Sequence, residues 1–131
     1  MEKKTLASRD APKGRGPFPQ AMRCGAMVFV SGQGPLSPKT NTPIIGTFAD
    51  QVTLTIQNIK AVLAAADLGL EHIVKATIYL SDLSYVEEFN DIYRRMMPEP
   101  WPARTLVSAG LRGIDVEIDV IAMDPRAAGS E

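Results

Sequence analysis

Arg104, in the run Pro102-Ala103-Arg104-Thr105, and Glu117, in Val116-Glu117-Ile118-Asp119, are the side chains that most constrain the chemistry of this sequence. Arginine carries a planar fork of donors that fits a carboxylate in bidentate fashion and keeps its charge near neutrality. Glutamate can accept a proton. On neighbouring strands, the pair would grip an acidic small molecule and work on it. Alternation places Arg104 in register with Leu106 and Ser108, and Glu117 with Asp119 and Ile121, but whether the two faces coincide depends on hairpin register. The same spacing suits a cross-strand ion pair between Arg104 and Glu117 or Asp119.

Other constellations offer less. His72 is the one histidine of the chain and sits at a turn beside Glu71, so a Ser/His/Asp triad has little to recruit and a surface histidine is expected. Cys24 is the one cysteine, which rules out an internal disulfide; no Cys/His cluster exists to hold zinc. Cys24 reads as a small packing residue and fits a reducing, cytoplasmic setting. Gly14-Arg15-Gly16 and Gly32-Gln33-Gly34 lack the extended spacing and lysine of nucleotide loops and read as turns. Trp101, between Pro100 and Pro102, reads as a hydrophobic plug rather than a ligand stack.

The elements that must position these residues follow from periodicity. Lys3 to Leu6 begins a short edge strand, a loop from Ala11 to Pro17 feeds Phe18 to Arg23, and Ala26 to Ser31 is a buried strand. Gly32 and Gly34 close that strand and let backbone approach something a side chain would exclude. Val52, Ile56, Ile59, Leu63 and Ala66 then recur at helical spacing, with Asp50 as N-cap, Gly69 as stop, and Gln51 and Gln57 on the wetter face. Ile73 to Leu80 alternates as a half-buried strand. Ser84 and Glu87 form a capping-box signature for a second helix lined inside by Val86, Phe89, Tyr93 and Met96 or Met97, ended by Pro98 and Pro100. Ala103 to Ala109 and Asp115 to Met123 are two strands joined through Gly110-Leu111-Arg112-Gly113 as a hairpin.

This order predicts an α+β fold, a mixed sheet with two helices packed on one face. An uncovered apolar sheet face in a chain of 131 residues calls for a closed homo-oligomer. With 45% apolar and 22% charged residues, the chain has the profile of a single domain, 1–131. Fourteen basic against fifteen acidic residues make nucleic acid an unexpected partner, although Lys3, Lys4, Arg9, Lys13, Arg15 and Arg23 give the amino-terminal stretch a local basic excess. No apolar run is long enough for a signal peptide or membrane span.

Taken together, Gly16-Pro17-Phe18-Pro19-Gln20-Ala21, Val30-Ser31-Gly32-Gln33, Gln57-Asn58-Ile59, Val74 to Leu80, Asn90 with Tyr93, Pro102-Ala103-Arg104 and Val116 to Ala122 resemble the Rid family, also called the YjgF family, from about Pro12 to Ala122. The resemblance implies a chorismate mutase-like fold, a homotrimer with clefts between subunits, and cofactor-free hydrolysis of reactive imines and enamines to 2-oxo acids and ammonia. Substrates such as 2-aminoacrylate and 2-iminopropanoate carry a carboxylate. It implies that Arg104 holds that carboxylate, that the backbone at Leu106 and Gly32 completes the pocket with Phe18 and Asn90, and that Glu117 deprotonates water. Two departures matter: Phe18 stands where the deaminase branch commonly has tyrosine, and Leu106 where cysteine is frequent. They leave room for a 2-aminomuconate-type substrate, for a 2-oxo acid-binding regulatory trimer, and, through the basic amino-terminal stretch, for an RNA-directed role.

Overall fold

The computed structural model describes residues 2–128; residue 1 and residues 129–131 of the expected domain lie outside them. Its strands are β1 (Lys3–Leu6), β2 (Ala21–Cys24), β3 (Met27–Gln33), β4 (Ile73–Leu80), β5 (Ala103–Ser108) and β6 (Val116–Met123). The helices are α1 (Phe48–Ala64), α2 (Val86–Met96) and the short α3 (Pro125–Ala128). All six strands form one mixed sheet in the order β1-β2-β3-β6-β4-β5. Among the described residues no helix is long and apolar enough to cross a membrane.

The expected hairpin between the last two strands does not form. β4 lies between them, antiparallel to β6 and parallel to β5, and α2 provides the crossover that a parallel pair requires. Arg104 and Glu117 therefore do not stand on neighbouring strands. The glycine-containing segment after β5 instead carries the chain across the end of β4, where Ala109 N–H donates to Leu80 O at 2.9 Å and Ser81 N–H to Asp115 O at 3.0 Å.

Helix boundaries moved for reasons of capping. Thr47, not Asp50, is the N-cap of α1; Asp50 is the third helical residue and completes a capping box, its amide donating to Thr47 Oγ1 at 3.1 Å and its carboxylate accepting from Thr47 N–H at 3.0 Å. The stop comes before Gly69: Asp67 takes the left-handed conformation at φ 58°, and Leu68 N–H donates back to Leu63 O at 3.0 Å. The Ser84–Glu87 box is absent. Asp82 accepts from Ser84 N–H at 2.8 Å and caps a 3-10 turn, Leu83–Tyr85, from which α2 continues.

Both main helices pack on the sheet face formed by Val28, Val30, Ala76, Ile78, Val116, Ile118 and Val120, all buried. Ile56, Ile59, Val62, Leu63, Phe89 and Tyr93 meet that face from α1 and α2. Each large side chain so buried contributes roughly 1.5–3 kcal/mol relative to exposure. The opposite face has no cover, and it leaves Phe29, Val107 and Met123 at 44%, 41% and 40% exposure. At the far end of the sheet, Arg23 and Arg126 grip Asp124 at 3.2 and 3.0 Å and both reach Ala66 O, tying β2, β6 and α1 together.

Candidate active site

Strand register decides where each candidate residue points. Ala76 is paired with Arg104 across the parallel ladder, and Tyr79 with Glu117 across the antiparallel one. Paired residues share a face, so Arg104 lies on the helix-covered face with buried Ala76, and Glu117 lies on the open face. Within one chain the two are separated by a strand and by the thickness of the sheet.

The Arg104 side chain projects over α2. Its guanidinium carbon stands 5.1 Å from the Tyr93 ring centroid and 5.8 Å from that of Phe89. Among the described residues it makes no ion pair, so the cross-strand salt link that the sequence also allowed is not formed. Arg104 lines a cavity of about 310 Å³ with Asn90, Tyr93, Arg94, Trp101 and Pro102. Among the described residues, Asn90 Oδ1 and the Tyr93 hydroxyl are buried with no hydrogen-bond partner. Burial raises the Tyr93 pKa while the positive charge of Arg104 opposes that shift. The guanidinium offers donors, the Tyr93 hydroxyl can donate or accept, and the Asn90 oxygen accepts, so the cavity presents complementary groups to a ligand carrying both an anionic oxygen and an N–H or O–H.

Leu106 sits two residues along from Arg104 on edge strand β5, its side chain packed against the core. Because Ala109 N–H turns toward β4, alternation directs the amides of Arg104, Leu106 and Ser108 toward the free edge, where a ligand can meet them.

Phe18 and Gly32 help to line a second cavity of about 180 Å³ together with Gln33, Lys13 and Arg15, and Glu117 lies against Gly32. The Phe18 ring lies against Gly14 and Gly16, where an added Cβ would stand 2.9 Å from ring carbons, and it is 51% exposed. A Cβ on Gly32 would stand 2.5 Å from Glu117 Oε2, so glycine leaves the room that the carboxylate occupies. Burial raises the Glu117 pKa, and the charge of Asp119 adds to the effect. Asp119 accepts from the Tyr79 hydroxyl at 2.9 Å.

Three amides hold the loops that carry these groups. Gln20 is buried and donates to Pro12 O at 2.8 Å and to Ala11 O at 3.2 Å, pinning the segment before Phe18. Asn58 donates to Gly34 O and Leu36 O, both at 2.9 Å, and fixes the chain after Gly32. Gln51, expected on the wetter face of its helix, instead reaches across to Asp115, donating to its carboxylate at 2.9 Å and accepting from its backbone N–H at 2.8 Å.

The structure thus brings Arg104 and Asn90 together, brings Phe18, Gly32 and Glu117 to a separate region, and leaves the two groups apart. Tyr93 reads from the sequence as core and also lines the cavity. Trp101 is no plug: it is 45% exposed, with its indole N–H donating to Met97 O at 3.2 Å. Its neighbouring prolines already confined it to a connection. Arg94 carried no sequence signal beyond helical spacing from Asn90. His72 caps its turn, accepting from Gly69 N–H at Nδ1, 2.9 Å away. Among the described residues no group of three His, Cys, Asp or Glu side chains stands close enough to hold a metal ion.

Residues 8–124 match the family model described as Endoribonuclease L-PSP, and the chain belongs to this family, the Rid or YjgF family. DfrA of Myxococcus xanthus is 42% identical over 127 residues, covering 94% of this chain and 97% of that protein. TdcF of Escherichia coli K12, whose name places it with the reactive intermediate deaminases, is 33% identical, with 96% and 99% covered. The crystal structure of Escherichia coli TdcF with bound serine superposes with a TM-score of 0.83 at 31% identity, covering 92% of this chain and 98% of TdcF. These relatives support a Rid-type role.

Proposed function

We propose that this chain is a hydrolytic deaminase of reactive 2-imino and 2-enamino acids such as 2-iminopropanoate, releasing 2-oxo acids and ammonia. The observation that carries the reading is Arg104: a guanidinium without a carboxylate partner among the described residues, held over two rings in a cavity with two unsatisfied oxygens. Arg104 takes the substrate carboxylate, with Asn90 and the outward amide of Leu106 beside it. Glu117, next to Gly32 and Phe18, takes a proton from water as the oxygen attacks the imine carbon. The resulting carbinolamine breaks its C–N bond, and ammonia leaves with the proton. General-base assistance of about 10²–10⁴-fold together with orientation suffices for a bond that water already attacks.

Arg104 and Glu117 point from opposite faces of one sheet, so the complete site lies between copies, with Arg104 of one and Glu117 of the next. A closed homotrimer would supply three such seams and would cover Phe29, Val107 and Met123. The serine bound to TdcF supports a small carboxylate ligand for this chain as well.

With imines generated by an amino-acid oxidase, Arg104→Ala is expected to abolish acceleration, and Glu117→Gln to keep 2-oxo acid binding while losing turnover. Wild-type rates in both variants would refute the assignment. The absent hydroxyl at Phe18 favours one other reading, a 2-oxo acid-binding trimer without turnover. Saturable binding of 2-oxobutanoate with no faster imine decay would establish it.

A further inference from the structure

We propose that Arg94 makes this site selective for 2-imino and 2-enamino acids bearing a second carboxylate, which it binds while Arg104 holds the first. The inference rests on the deaminase reading for the chemistry performed, and on the cavity alone for binding. Asn90 and Arg94 lie one helical turn apart and so share a stripe of α2, which places both on the cavity that Arg104 enters from β5. Two guanidiniums line that cavity and no carboxylate does.

Arg94 is free to be recruited. Its partner is Asp91 at 3.2 Å, with the two side chains 59% and 72% exposed, and a solvent-washed pair of this kind holds its members weakly. Arg104 stands over the Phe89 and Tyr93 rings and has no carboxylate partner among the described residues, which suits it to the carboxylate next to the reacting carbon. Trp101 also lines the cavity, with its indole N–H already satisfied by Met97 O and its side chain partly exposed. A cavity of about 310 Å³ leaves most of its volume unfilled around a three-carbon acid. A four- or five-carbon diacid would span from one guanidinium toward the other. The second carboxylate takes no part in bond changes: water adds across C=N, the C–N bond breaks, and ammonia departs without oxidation or reduction.

The test is calorimetric titration of the full chain with 2-oxoglutarate and with 2-oxobutanoate, in wild type, Arg94→Ala and Arg94→Glu. One added charge-assisted contact predicts roughly tenfold tighter binding of the diacid to the wild type. The diacid-to-monoacid affinity ratio should fall about tenfold in Arg94→Ala, and further in Arg94→Glu through repulsion. A diacid bound no more tightly than the monoacid, or a ratio unchanged in both variants, overturns the proposal. Turnover of 2-iminopropanoate is measured alongside. The imine of 2-oxoglutarate is assayed in the same way, and failure to accelerate the decay of either imine would refute the deaminase reading while leaving the titration to decide the role of Arg94.

Discussion

If the site is shared, two inactive variants should repair one another. Arg104→Ala protomers keep Glu117, and Glu117→Gln protomers keep Arg104, so a seam works only when an intact arginine on one copy faces an intact glutamate on the next. In a ring assembled at random from equal amounts, each seam has about one chance in two of the first and one in two of the second, giving about one quarter of wild-type sites. Selecting mixed trimers through two different affinity tags raises the fraction to about one third, because every such trimer has one correctly oriented seam. The assay is imine decay after co-expression, compared with each variant assembled alone. The opposite-face placement of Arg104 and Glu117 forbids recovery within a single chain. Mixed trimers with no more activity than the separate variants would refute the shared seam.

Other outcomes follow from individual contacts. Gly32→Ala is expected to leave thermal stability close to wild type, because the displaced Glu117 carboxylate is the end of a flexible side chain, yet to lower kcat/KM by roughly 10²-fold. Asn58→Ala should lower unfolding stability by about 2–4 kcal/mol in urea denaturation, since the buried Gly34 carbonyl and the partly buried Leu36 carbonyl lose their donor. The raised pKa of Glu117 means that the folded chain binds this proton more tightly than the unfolded chain, so ionisation costs stability as pH rises from the ordinary 4.5 through the raised folded value. Glu117→Gln removes that cost: its Tm should exceed wild type at pH 7, and the two should converge below about pH 4. The acid limb of wild-type kcat/KM should correspondingly lie above the usual glutamate range, as a pH–rate profile will show.

Much of this was legible in the residues. Alternation in Val74 to Leu80 and Val116 to Ala122 located two central strands, and four-and-three spacing located α1, because burial on one face writes its period into the sequence. Strand partners were not legible from Gly110 to Gly113, which look like a hairpin turn; the cue that outweighs them is α2 between β4 and β5, which makes a parallel crossover possible. The chemistry of Arg104 and Glu117 could be named from side-chain type, whereas their faces depend on long-range register that neither strand encodes alone. Thr47 and Asp82 were missed as caps because Asp50 and Ser84 stand nearby with equally suitable side chains. Arg94 gave no signal, since the cavity it lines is closed by a strand distant in sequence.

Gln20 and Asn58 anchor the segments flanking Phe18 and Gly32 through neutral amides, which neither gain nor lose charge across the accessible pH range. Acid or base will not loosen these two moorings directly. A titration of rate therefore reports on the ionising groups of substrate and site against a frame whose own fastenings stay silent.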